Sequence, residues 1–132
     1  MCRIFVSADP RSYESRTRSV RLHGVATSIR LENLHWQVLE EVAARDDMTV
    51  AQLVTRLYDE LVAERGAVGN FASFLRVCAL RYESLIAAGL VPRDVSVPIR
   101  SLDADRVLGG ERRTRPVGLP PSLRAPSRRA LN

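Results

Sequence analysis

Every one of the 20 basic residues in this chain is an arginine. A guanidinium fork can hold a phosphate or the major-groove edge of guanine through two parallel hydrogen bonds, which an ammonium cannot. The arginines are also unevenly placed. Residues 1–30 carry six Arg against two acids, residues 31–90 five against nine, and residues 91–132 nine against four. A codon bias toward Arg accounts for the missing Lys but not for this segregation, in which an acidic middle lies between two basic ends. The chemistry on offer is that of an anion-binding surface.

Residues for bond-breaking chemistry are sparse. Cys2 follows Met1, so removal of the methionine would set an α-amine beside a thiol as its base. That start echoes the amidotransferases with an N-terminal Cys nucleophile. Arg3 stands where they have Gly, however, and the chain is too short for their layered sheet. His23 and His35 have no companion at ligand spacing, and two cysteines, Cys2 and Cys78, cannot complete a four-ligand zinc site. Gly66-Ala67-Val68-Gly69-Asn70 lacks the form of a phosphate-cradling loop. The sequence therefore implies no enzyme, no catalytic residue, no metal and no cofactor.

Several elements are needed to position the arginines. A length of 132 residues fits one domain. Ala26-Thr27-Ser28-Ile29-Arg30-Leu31 alternates as a strand, with Thr27, Ile29 and Leu31 on one face and Ala26, Ser28 and Arg30 on the other. Ser19–His23 forms a second extended stretch before Gly24. Leu34–Arg45 reads as a helix with Trp36, Leu39, Val42 and Ala43 on one stripe, ended by Asp46-Asp47-Met48. Thr49-Val50-Ala51-Gln52 then has the form of a capping box. It opens a second helix with Val50, Leu53, Val54, Leu57, Tyr58, Leu61 and Val62 on one face. Asn70 caps a third, whose stripe runs through Phe71, Phe74, Leu75, Cys78, Tyr82, Leu85 and Ile86. No internal repeat stands out. One strand and two helices bury too little surface to stand alone, so the strand is expected to pair with its copy across a two-fold axis. A strand buried against its own chain would remove that argument.

From Val91 onward the composition shifts to six of the seven prolines with Gly109-Gly110 and paired arginines, and no periodic pattern survives. The expected organisation is a leader over 1–17, a folded domain over 18–90, and a disordered Arg/Pro-rich tail over 91–132. No apolar run reaches the roughly 18 residues of a membrane span, and Ile4-Phe5-Val6 is too short for a secretory core. The expectation is a cytoplasmic protein with no membrane partner.

A short strand, a helix, a tight turn and a second helix resemble the ribbon-helix-helix family, the Arc and MetJ type of repressor. Matching residues are Thr27-Ser28-Ile29-Arg30-Leu31-Glu32 as ribbon, Trp36, Leu39 and Ala43 in the first helix, and Met48-Thr49 with Leu53, Val54 and Leu57 beyond. Arg18 to Gly24, Gly69-Asn70 and Phe74-Leu75-Arg76-Val77 look like a bacterial subgroup with a third helix. The resemblance implies a mainly α fold with a short β-ribbon, built as an intertwined homodimer whose two strands enter the major groove of double-stranded DNA. It implies a transcriptional regulator with base contacts from Ala26, Ser28 and Arg30. Phosphate contact falls to Thr49 and Val50 at the second helix's positive end, with Arg18 and Arg21 beside the ribbon. Two features depart from the family: Asp46-Asp47 replaces a Gly turn, which Asp tolerates better than most residues, and 25 residues precede the ribbon. The alternative is an antitoxin-like module whose tail engages a protein partner.

Overall fold

The computed structural model describes residues 2–113, and their order begins with a short helix, α1 (Cys2–Val6), and a 3-10 turn at Pro10–Tyr13. Two strands follow, β1 (Ser15–Leu22) and β2 (Val25–Glu32), then helices α2 (Asn33–Arg45), α3 (Val50–Arg65) and α4 (Phe71–Ala87). A 3-10 turn at Ile99–Ser101 and helix α5 (Ala104–Arg113) complete the described chain.

β1 and β2 form an antiparallel two-stranded sheet with Leu22 opposite Val25 and Ser15 opposite Glu32. The turn between them has only two residues, His23 at φ 51° and Gly24 at φ 79°. Successive left-handed residues give a turn whose twist matches that of the strands it joins, and Gly24 adopts this conformation without steric cost. The strand around Ile29 thus has a partner within its own chain, so the expectation that only a copy could supply one does not hold. Its partner was obscure because the core-facing positions of β1 begin with Arg16 and Arg18 and reach aliphatic residues only at Val20 and Leu22. The alternation of a half-buried strand is therefore broken over half of β1. Pairing also exposes a short repeat, Ser19-Val20-Arg21-Leu22 and Ser28-Ile29-Arg30-Leu31.

The core lies between one face of this hairpin and the three helices. Val20, Leu22, Ile29 and Leu31 pack with Trp36, Leu39 and Ala43 of α2, Leu53 and Val54 of α3, and Leu75 and Ala79 of α4. Trp36 is fully buried and donates from Nε1 to the Arg16 carbonyl at 2.8 Å, so the indole locks α2 against β1. Asp47 takes the left-handed conformation, φ 55°, where a Gly would be the default, and the Ala43 carbonyl accepts from the Met48 amide at 2.9 Å. The capping box is present: Thr49 Oγ1 accepts from the Gln52 amide at 3.1 Å and Gln52 Oε1 from the Thr49 amide at 2.9 Å.

Two expected boundaries move. The leader ends before Ser15, because residues 15–17 belong to β1, and it is tied down where the Asn33 amide donates to the Glu14 carbonyl at 2.8 Å. The tail is folded as far as Arg113. Val91 is buried beside Tyr82 and Ile86, and Arg45, only 4% exposed, binds the segment after it. Its guanidinium donates to the carbonyls of Val97 at 3.0 Å, Pro92 at 2.9 Å and Asp94 at 3.1 Å, and to Tyr82 Oη at 3.1 Å. A Pro-rich segment with no periodicity is ordered by donors supplied from a distant helix. Residues 114–132 of the expected tail lie outside the described residues.

Candidate nucleic-acid interface

Because the hairpin covers the core with one face, its other face is turned away from the helices. There Thr17 stands opposite Arg30, Ser19 opposite Ser28, and Arg21 opposite Ala26. All six residues are exposed. Neither Arg21 nor Arg30 takes part in an ion pair among the described residues; Arg21 Nη1 reaches only the Gly24 carbonyl, at 3.2 Å. Two uncommitted guanidiniums and a row of small hydroxyl side chains thus share one face of a ribbon. A two-stranded β-ribbon is narrow enough for the major groove of B-DNA.

The ribbon is framed on both sides. Thr55 Oγ1 lies 3.5 Å from the Arg21 carbonyl, which sets α3 against the outer edge of β1. Arg21 then lines a shallow groove with Ala51, Gln52, Thr55, Arg56, Asp59 and Glu60. Thr49 and Val50 open the same helix; Thr49 is exposed, and the capping box engages the Thr49 and Gln52 amides at its positive end. On the other side Arg76 of α4 donates from Nε to both Glu32 oxygens, at 3.0 and 3.2 Å, and from Nη2 to the Arg30 carbonyl at 3.4 Å. Arg76 holds the Glu32 carboxyl below the usual glutamate range, chiefly through that side-chain hydrogen bond. The acid at the end of the ribbon is thereby neutralised, and it also receives His35 Nδ1 at 3.2 Å.

The structure brings Ala26, Ser28, Arg30 and Arg21 together and sets the first turn of α3 beside them. It does not bring Arg18, which points to the opposite face. There its guanidinium pairs with Glu40 and stands 5.0 Å over the Trp36 ring. An Arg at a core-facing position needs a carboxylate and an aromatic face, and α2 supplies both. Thr17 and Ser19 were missed as members of the outer face, and the repeated Ser-x-Arg-Leu was the signal that could have found them. His23 and His35 are apart, with His23 Nε2 held 2.9 Å from Asp59, and among the described residues no cluster fits a metal ion. Burial pushes the Cys78 thiol up to about 11, so it is not poised as a nucleophile. None of the described helices is long and apolar enough to cross a membrane.

A hairpin with an uncommitted basic outer face, carried directly on helices α2, α3 and α4, is the architecture of a ribbon-presenting domain. The chain belongs to the ribbon-helix-helix domain family, whose match spans residues 15–83. That family is one of non-enzymatic DNA-binding domains. Among solved structures, an uncharacterized protein from Bordetella pertussis Tohama I is similar at 59% sequence identity with a TM-score of 0.81, covering 95% of this chain and 94% of that one. The likeness therefore extends past the family segment at both ends. No curated protein matches.

Proposed function

We propose that the protein is a sequence-specific DNA-binding transcriptional regulator that lays the outer face of its β1–β2 hairpin in the major groove. The observation that carries this reading is the pair of exposed arginines, free of carboxylate partners, on a face otherwise made of Thr17, Ser19, Ala26 and Ser28. Arg30 binds guanine O6 and N7 through its fork, Ser28 hydrogen-bonds a neighbouring base edge, and Ala26 touches a thymine methyl. Thr49 and Val50 meet a flanking phosphate at the positive end of α3, Val50 through its amide and Thr49 through its hydroxyl proton, since the Thr49 amide is held by Gln52. A second copy of the chain belongs to the proposal. Its support is an apolar groove between α3 and α4, lined by Leu57, Cys78 and Leu85 and open to solvent, and it is no longer an unpaired strand.

The test is equilibrium binding to duplexes of varied sequence across a range of salt. The logarithm of affinity is expected to fall linearly with the logarithm of salt, by about 0.9 for each phosphate neutralised. Arg30→Ala is expected to remove about 1–3 kcal/mol of base discrimination. Salt-insensitive binding, or an Arg30→Ala protein with its full sequence preference, contradicts the reading.

A further inference from the structure

The two strands of the hairpin are near-copies. Ser19 and Ser28 face each other at its middle, and a two-fold axis through that pair carries Arg21 onto Arg30, Val20 onto Ile29 and Leu22 onto Leu31. The equivalence is structural as well as sequential. Val20 and Ile29 are 6% and 5% exposed and Leu22 and Leu31 are 7% and 0% exposed, all in one core, while Arg21 and Arg30 both stand on the outer face. Three positions within the strands break the symmetry: Thr17 corresponds to Ala26 outside, and Arg16 to Val25 and Arg18 to Thr27 inside.

From this, resting on the DNA-binding reading above, we infer that a single chain supplies a complete, pseudo-symmetric reading ribbon in which Arg21 reads a guanine as Arg30 does. The site recognised by one chain is then near-palindromic. Arg21 and Arg30 lie four cross-strand pairs apart, about 13 Å along the strands, or about four base steps at roughly 3.4 Å each. A ribbon two-fold that falls on a local dyad of DNA places the two forks on opposite DNA strands. The predicted site therefore carries guanine at each end, one on either strand, with the hydroxyls of Ser19 and Ser28 over the middle. Its ends are not identical in detail, since Thr17 faces Arg30 whereas Ala26 faces Arg21. A second chain adds a second such ribbon and hence a second site, rather than the missing strand of the first.

Selection of bound sequences from a random duplex pool, followed by titration of chains per selected motif, tests this with four proteins: wild type, Arg21→Ala, Arg30→Ala and the double variant. Expected is one chain per motif, with Arg21→Ala losing guanine preference at one end by about tenfold, Arg30→Ala at the other, and the double variant at both. The inference is overturned if Arg30→Ala erases both guanines together, because both forks then come from β2 of two chains. It is equally overturned if Arg21→Ala weakens binding evenly across all sequences and leaves the motif intact, the mark of a phosphate contact. In both cases the DNA-binding reading stands. A wild-type protein that enriches no sequence removes that reading and this inference with it.

Discussion

Arg45→Met probes how the C-terminal segment is held. The native guanidinium makes four hydrogen bonds, three of them to carbonyls of residues 92–97 and one to Tyr82 Oη, and its carbon 5.8 Å from the Tyr82 ring adds a cation–π contact. Hydrogen bonds to a charged group contribute about 1.5–3 kcal/mol each, so four at full value rival the entire stability of a domain this size, about 5–15 kcal/mol. The loss is smaller because the segment can lift away and return its carbonyls to water. The loss is then limited to the free energy of docking the strap, which includes burial of Val91, about 1.5–3 kcal/mol for such a side chain. Methionine keeps the apolar stem and removes every donor. The expected destabilisation is about 3 kcal/mol in urea unfolding. It should come with loss of hydrogen-exchange protection at the Val97 and Leu102 amides, which now donate to Asp94 and Ile99 at 3.1 and 3.0 Å. A change below about 1 kcal/mol with protection at both amides intact would refute the idea that Arg45 orders the segment.

Three smaller perturbations follow from other contacts. Glu32 has its pKa depressed by Arg76, so the stability it adds is complete above the ordinary glutamate value of about 4.3 and is lost as pH falls through the lower folded value. Arg76→Gln should flatten that acid limb of the urea midpoint against pH, and an unchanged slope would show that the pair is not responsible. Thr49→Ala removes the hydroxyl that caps α3 and should cost about 1 kcal/mol of unfolding free energy, whereas Thr49→Ser should cost little. Leu57→Asp places a charge in the apolar groove between α3 and α4, and sedimentation should show association lost; a dimer that persists at the wild-type concentration dependence would exclude that groove as the contact.

Helices α2, α3 and α4 were legible from their own stripes and stops, whereas α1 and α5 lay in segments expected to be a leader and a disordered tail. The Thr49–Gln52 box, the Leu53, Val54 and Leu57 periodicity and the left-handed Asp47 are all local signals, and local signals survive without knowledge of the tertiary fold. What the sequence hid depends on partners far along the chain. Arg16 and Arg18 disguise β1: Arg18 is half-buried on the core side against Trp36 and Glu40, and the exposed Arg16 also reaches Glu40. Residues 91–103 look structureless because the donors that order them sit on Arg45. The outer face was half legible: Ala26, Ser28 and Arg30 came from alternation within β2, while Thr17, Ser19 and Arg21 needed the register to join them. The register places both strands of the ribbon in one chain.

Dimethyl sulfate footprinting of the selected duplex examines the hairpin's role most directly, because the reagent methylates guanine N7 in the major groove, where an Arg fork must sit. Expected are guanines protected by the wild-type protein, with one becoming reactive in Arg30→Ala under conditions where that variant still saturates the DNA. Full binding with every guanine N7 open to the reagent, or protection that Arg30→Ala leaves untouched, would contradict that role.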